Sequence, residues 1–398
     1  MTSFLPLLVA AAAAAFTVSA QVAQPPVLQA SELSACLGQL RGEALARGIP
    51  GEKYDEIFAS MEPDPSILVL MDKQPEFVTP IWDYLGALVD EKRIAQGRLK
   101  LAAFSDALDR IEETYGVDRQ VLVALWGVET RYGEIMGSRP LLRSLATGAC
   151  FGRRQPFFRQ ELLATLRIVH SGDIAPERLV GSWAGAFGQT QFMPSTFHRV
   201  AVDFDGDGRK DILDSVPDAL ASTANYLKQS GWKKGEPWGY EVRVPRKYDG
   251  PSGRRARLPM ERWRELGIKR IDGRALPGDE NAALLMPAGS RGPAFIVTSN
   301  FQALIAYNPA EAYALAIAHL SDRLKGGGAI QASWPVGETM LTREQRIALQ
   351  ERLAARGYDV GTPDGIIGPR TVEAIKEFQK SIGLQPDGFA TVALLKKM

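Results

Sequence analysis

The chain has 398 residues, 47 Lys and Arg against 46 Asp and Glu, and a hydrophobic share of 45%. A chain of this size accommodates two or three domains with real cores. Its net charge of +1 leaves no electrostatic footprint for nucleic acid or an anionic membrane, so neither is expected as a partner.

Residues 4 to 18 form an Ala-, Leu- and Val-rich run that ends at Val18-Ser19-Ala20, the small-residue spacing of a signal-peptidase site. At about 15 residues the run is shorter than the roughly 20 that a spanning helix needs, so residues 1 to 20 are expected to be a cleaved export signal and no membrane span is expected. One departure from the pattern is that no Lys or Arg precedes the run. Leu33-Ser34-Ala35-Cys36 has the form of a lipoprotein box, yet polar Gln29, Ser31 and Glu32 stand where an apolar run should lie, and a soluble mature protein is the expectation. The two cysteines, Cys36 and Cys150, suit an oxidising compartment. If paired they close a loop of about 115 residues, for which the chain-entropy relation gives roughly 4 to 5 kcal/mol as an upper figure; two free thiols are the alternative.

From about residue 30 to residue 230 the patterning is helical. Leu33, Cys36, Leu37 and Leu40 share one face, and Leu101, Phe104, Leu108 and Ile111 share another. Within this region Val121 to Val128 is one apolar stretch of helical length, followed directly by Glu129-Thr130-Arg131-Tyr132-Gly133. A helix that is hydrophobic all round is normally buried, and glutamate is almost never fully buried without a partner. Desolvation favours the neutral acid, and a carboxylic acid able to donate its proton near neutral pH is what cleavage of a glycosidic bond requires. The competing reading is a structural ion pair. Arg131, two residues on, points off the face that Glu129 occupies, which leaves Arg119, Arg139 or a distant arginine as its partner.

Next comes Gly181-Ser-Trp-Ala-Gly-Ala-Phe-Gly-Gln-Thr-Gln-Phe-Met-Pro-Ser195. Its glycines permit close backbone approach, Ser182, Gln189 and Gln191 offer neutral hydrogen bonds, and Phe192 and Met193 offer an apolar wall, a combination suited to a sugar. Helix packing through small residues is the competing reading. Asp203-Phe-Asp205-Gly-Asp207-Gly208-Arg209-Lys-Asp211-Ile-Leu-Asp214 has the spacing of a calcium loop, with acids at positions 1, 3, 5, 9 and 12, glycine at 6 and the Arg209 carbonyl at 7. Asp214 is shorter than the usual glutamate at its position, and a solvated acidic turn is the competing reading.

Residues 236 to 298 are rich in Pro, Gly and Arg, and their short pieces Tyr240–Val244 and Ala294–Thr298 predict a small β insertion. Helical periodicity returns from Asn300 to Leu324, and Gly326-Gly327-Gly328 opens an expected flexible linker, with residues 329 to 340 leading to a compact unit at 341 to 398. That unit repeats an Asp-Gly turn, at Asp364-Gly365 and Asp387-Gly388, and Thr371 and Thr391 are the expected caps of the helices that follow. Too small and too poor in convergent acids for an enzyme, it reads as a binding module. His170, His198 and His319 are scattered without metal-ligand spacing.

Three segments together resemble the family of membrane-bound lytic murein transglycosylase B: Gly127–Gly133, Gly181–Ser195 with the acidic stretch after it, and Asn300-Phe-Gln-Ala-Leu-Ile-Ala-Tyr-Asn308. Order and spacing match over roughly residues 30 to 325, and the last sixty or so residues look like a three-helix peptidoglycan-binding domain. The resemblance implies a mainly α (α+β) fold: a lysozyme-like helical core with an extra helical domain and the small β insertion, within a catalytic domain of residues 30 to 328. It implies Glu129 as the sole catalytic acid and base. It also assigns sugar contacts to Ser182, Gln191, Phe192 and Met193, cleft positions to Tyr226, Tyr307 and Asn308, and a last cation ligand to Asp218 beside Asp214. Asn308 precedes Pro309 and stands three before Glu311, so a helix cap is its alternative role.

The implied substrate is the peptidoglycan glycan strand, cut between N-acetylmuramic acid and N-acetylglucosamine with a 1,6-anhydromuramic end as product. No cofactor is implied for the chemistry; a structural Ca²⁺ ion and a periplasmic location are. A hydrolytic muramidase and a non-catalytic peptidoglycan-binding scaffold are the alternatives, the first because most glycosidases use a second carboxylate to bring in water.

Overall fold

A computed structural model describes residues 27–71 and 79–398, so the expected export signal over residues 1–20 lies outside the described residues. Helix α1 (Ala30–Ala46) buries Leu33, Leu37, Leu40 and Ala44 on one face, as their spacing predicts. The short helices α2 (Gly51–Phe58), α3 (Ser66–Leu70) and α4 (Ile81–Leu88) follow. Helix α5 (Glu91–Ala103) is capped by Asp90, whose carboxylate accepts from the Arg93 amide at 2.8 Å. It stops at Phe104, and α6 (Ser105–Tyr115) starts immediately after. The apolar face read through Leu101 and Ile111 is therefore divided between two helices.

Helix α7 (Arg119–Thr130) is the axis of the main helical body. Every residue from Val121 to Gly127 is buried, because the helix is enclosed by α5, α6 and two later helices, α11 (Val216–Gln229) and α14 (Glu311–Leu324). Helices α8 (Leu141–Phe151) and α9 (Gln155–Ser171) pair with each other, and α10 (Pro194–Val200) lies on α9. Cys36 and Cys150 form a disulfide, which staples α1 to the end of α8.

Residues 236 to 298 hold a five-stranded antiparallel sheet of β3 (Gly239–Arg243), β4 (Arg257–Pro259), β5 (Lys269–Arg270), β6 (Asn281–Leu285) and β7 (Ala294–Val297), in the order β4-β6-β7-β3-β5. Two residue pairs elsewhere, β1 (Arg139–Pro140) and β2 (Val180–Gly181), make a minimal second sheet. Helix α12 (Met260–Glu265) closes one face of the larger sheet with Met260 and Trp263, forming a core distinct from the main one. The Trp263 indole donates to the Ala282 carbonyl at 2.9 Å, satisfying its polar edge within that core. From β7 the chain enters α13 (Ser299–Tyr307), capped by Thr298, and then α14. Among the described residues no helix is long and apolar enough to cross a membrane.

The segment expected to be a flexible linker lies along the body instead. Its Gln331 and Ala332 amides donate to the Glu241 carboxylate, the latter at 2.7 Å, and Trp334 meets Trp82 at 6.5 Å. Glycine composition leaves such a segment free only where no partner is offered, and Glu241 and Trp82 offer partners. Beyond it, α15 (Arg343–Ala354), α16 (Pro369–Ser381) and α17 (Val392–Leu395) enclose their own core of Leu349, Leu353, Ile375 and Phe378. Thr342 and Gln345 form a capping box on α15, and Thr391 caps α17. Thr371, expected as a cap, lies inside the first turn of α16 and accepts from Gln350 at 3.2 Å. Pro369, with its fixed φ, starts that helix two residues earlier.

Candidate active site

Glu129 stands in the last turn of α7, half-buried, and the hydroxyl of Tyr313 on α14 donates to its Oε1. The arginines named as structural partners are engaged elsewhere: Arg119 with Asp109 and Glu112, Arg139 with Asp64 and Ser66. Burial, and then the charge of Glu129, hold the phenols of Tyr313 and Tyr307 well above the ordinary tyrosine range. Both therefore stay protonated, and Tyr313 remains a donor.

The helix ends abruptly after the glutamate. Arg131, Tyr132 and Gly133 all take positive φ, at 51°, 61° and 88°. Consecutive left-handed residues other than glycine are costly and persist only where the surroundings over-determine them. Here Tyr132 turns back so that its ring fills the space above Gly127, where an added Cβ would come within 2.6 Å of it, and its hydroxyl donates to the Arg93 carbonyl at 2.8 Å. A Cβ on Gly133 would meet Gln189 Oε1 at 2.4 Å. Gln189 is the clasp: it accepts from the Trp126 indole at 2.9 Å, donates to the Leu213 carbonyl at 2.7 Å, and takes the Thr130 hydroxyl on its own carbonyl at 2.6 Å. It was expected to offer hydrogen bonds to a sugar; it is buried and spends them on α7 and on the Leu213 carbonyl instead.

Between β2 and α10 the Gly181–Ser195 segment is neither helix nor plain strand. It folds on itself through bridges Gly181 to Phe187 and Phe187 to Phe192, with Ser182 Oγ accepting from the Ala186 amide at 3.0 Å. Gln191 takes positive φ and donates to the Met136 carbonyl at 3.0 Å, which ties the segment to the loop that leaves α7. Ser182, Gln191 and Met193 are half-buried and available at this surface. Phe192 is only 1% exposed, so its ring does not offer the sugar face expected of it. It backs an aromatic wall instead, 6.2 Å from Tyr226 and 5.9 Å from Tyr307, with Tyr307 stacked on Tyr313 at 6.5 Å.

The wall's hydroxyls point inward. Tyr307 donates to the Thr190 carbonyl at 2.6 Å and Tyr226 to the Ala306 carbonyl at 2.5 Å. Asn308 follows α13, and its Oδ1 accepts from the Ala310 amide at 3.0 Å, holding the turn into α14.

This arrangement, a single half-buried carboxyl held by a phenol beside an aromatic wall, coincides with a sequence match along most of the chain. The transglycosylase SLT domain model matches residues 32–322, and a peptidoglycan binding domain model matches residues 342–398. The chain belongs to the SLT transglycosylase family. Membrane-bound lytic murein transglycosylase B of Escherichia coli K12 is 32% identical over 282 residues, covering 68% of this chain and 77% of that protein. The crystal structure of SltB3 from Pseudomonas aeruginosa in complex with NAG-anhNAM-pentapeptide is similar over 92% of this chain and 98% of that one, at 47% identity and a TM-score of 0.88. The E. coli Slt35 structure in complex with calcium aligns over 74% of this chain and 92% of that one, at 29% identity and a TM-score of 0.65.

Within this SLT transglycosylase fold the acidic loop converges only in part. Asp203, Asp205 and Asp218 each bring a carboxylate oxygen within 4.8 Å of the others. Asp218 is buried at the head of α11 and gathers the loop by accepting from the amides of Phe204, Asp205 and Asp211. Burial raises its pKa above the usual aspartate value. Asp207 pairs with the Arg209 side chain at 3.0 Å, and Asp214 pairs with Arg178 at 2.5 Å, so both carboxylates expected as ligands point into ion pairs. The three convergent oxygens are hard donors, which suit a cation of the calcium type.

Tyr313 was not singled out by sequence reasoning. The signal that marks Glu129 marks it too: it is the one polar-tipped side chain in the buried run from Ala312 to Ala318.

Proposed function

We propose that this chain, a lytic transglycosylase acting on peptidoglycan, cuts the β-1,4 bond between N-acetylmuramic acid and N-acetylglucosamine with Glu129 as the only acid and base. The observation that carries the reading is the Glu129–Tyr313 pair at the end of a buried helix, against the aromatic wall of Tyr307 and Phe192. In its protonated form Glu129 gives its proton to the glycosidic oxygen as the bond to the anomeric carbon breaks. The muramic 6-hydroxyl then attacks that carbon and returns its proton to Glu129. No water is consumed, so no second carboxylate is called upon to activate one. The aromatic wall fixes the groove's shape because its hydroxyls already have protein partners.

Product analysis tests this. Purified sacculi treated with the enzyme should release muropeptides one water lighter than reducing ends, and Glu129→Gln should release none while still binding sacculi. Reducing ends alone, or turnover by the Gln variant, would overturn the mechanism. The apolar run before residue 20 is read as an export signal, which places the mature enzyme in the periplasm with its substrate.

Asp203, Asp205 and Asp218, with the Arg209 carbonyl, would hold a structural Ca²⁺ ion that neutralises the loop's charge; it takes no part in bond cleavage. Added calcium should then raise the melting temperature of the wild type and leave Asp218→Asn unmoved. An equal shift in both would remove the site.

A further inference from the structure

The two Asp-Gly turns of the C-terminal module are built alike. Gln350 on α15 and Gln379 on α16 each accept through Oε1 from the glycine amide of the turn that follows, Gly365 or Gly388, both at 2.8 Å. Asp364 and Asp387 each set Oδ1 on the amide two residues on, that of Ile366 at 2.8 Å and that of Phe389 at 3.0 Å. Both glycines are left-handed, at φ 79° and 72°. Arg343, Ile347 and Gln350 surround the first turn as Val372, Lys376 and Gln379 surround the second, at one constant offset along the chain, so the module holds an internal repeat.

The copies differ in what sits on them. At the second turn Asp387 Oδ2 accepts from the Ser290 amide at 2.9 Å and the Ser290 hydroxyl at 2.8 Å, and Phe389 lies against Gly289, where an added Cβ would come within 2.7 Å of it. At the first turn Asp364 Oδ2 has no partner among the described residues, since Arg343 and Arg346 donate to the backbone carbonyls of the turn instead. Ile366, in the place of Phe389, is 60% exposed. A single exposed isoleucine means little by itself. This one stands beside a free carboxylate oxygen in a frame whose copy is occupied, and the occupied copy shows what the frame accepts: an amide and a hydroxyl from one residue, with a glycine before it.

We propose that the Asp364–Ile366 turn docks a loop of a partner protein that presents a glycine-serine pair as Gly289 and Ser290 do, so that the module holds the β insertion with one turn and a partner with the other. A second copy of this chain does not supply that loop from the same place, because its Ser290 is held by its own Asp387. The probe is a cyclic peptide of residues 286 to 293, titrated into the full chain while amide shifts are followed by NMR. The Gly365 and Ile366 amides should shift and saturate. Asp364→Asn keeps Oδ1 for the Ile366 amide and puts a donor where Oδ2 accepted, so it should weaken binding roughly tenfold or more without unfolding the turn. The same peptide carrying Ser290→Ala should lose a similar factor. No shift at the turn, or an unchanged affinity in Asp364→Asn, would overturn the proposal. Binding of Asp364→Asn to sacculi, measured alongside, should equal that of the wild type; a tenfold loss there would assign the turn to the polymer and reject a protein partner.

Discussion

Tyr313 joins two largely buried helices, α14 and α7, at the carboxyl proposed as acid and base. Its hydroxyl has a half-buried carboxyl as partner and stays protonated, so it fixes the direction of Glu129 without competing for the proposed role of acid. Replacing it by phenylalanine keeps the ring against Tyr307 and removes only the donor. A catalytic group displaced by about 1 Å can cost on the order of a hundredfold in rate, so Tyr313→Phe should lower kcat by roughly ten- to a hundredfold and change KM much less. Steady-state kinetics on soluble glycan fragments separates the two constants. A loss confined to KM would make Tyr313 a substrate-binding residue instead. Both residues were open to a reader of the sequence, because a lone polar tip in an apolar run is costly unless it has work or a partner. That the two polar tips would meet was not open, since 183 residues of chain separate them and only the packing of α14 on α7 brings them together.

At the scale of elements, the helix that carries Glu129 is legible and its ending is not. Val121 to Gly127 are apolar on every side and are buried on every side, as the pattern requires. The reversal over Arg131, Tyr132 and Gly133 depends on Gln189, a residue that sequence reasoning placed on the substrate side. The glycine-rich segment was equally ambiguous, for small residues serve close helix packing and tight loops alike. Here the loop won because Gly181, Phe187 and Phe192 bridge one another and Gln191 reaches across to Met136. This clasp makes a definite prediction. Gly133→Ala adds a Cβ in a left-handed conformation 2.4 Å from a buried amide oxygen that already accepts from Trp126. The cost should be on the order of 2–4 kcal/mol, read as a lower urea midpoint, and cleavage should weaken with it as the end of α7 shifts. A midpoint equal to the wild type's would show that Gln189 yields easily and is no clasp.

At the scale of the molecule, the C-terminal module is seated rather than tethered. Asp387, in one of the two repeated Asp-Gly turns, accepts from the Ser290 amide and hydroxyl at 2.9 and 2.8 Å, and Lys376 donates to the Ser252 carbonyl at 2.9 Å. Glu338 pairs with Arg291 at 2.5 Å. Composition announced a glycine-rich linker and a separate small core; the core is there, and the freedom is not, because docking is decided by partners in the β insertion that lie far away in sequence. Beside these polar contacts Met340 and Phe389 pack on the main core, but the module's buried apolar core is its own, so removing residues 335 to 398 should leave the rest of the chain folded. A second attachment to one polymer raises avidity without altering the bond-breaking groups, so this truncation should weaken sacculus binding by roughly ten- to a hundredfold and slow cleavage of short soluble glycans only slightly. Pull-down on sacculi and turnover on soluble fragments, measured on the same preparation, decide it. Equal losses in both would mean that the seated module shapes the groove at Glu129, and that the enzyme's binding and cutting surfaces are one.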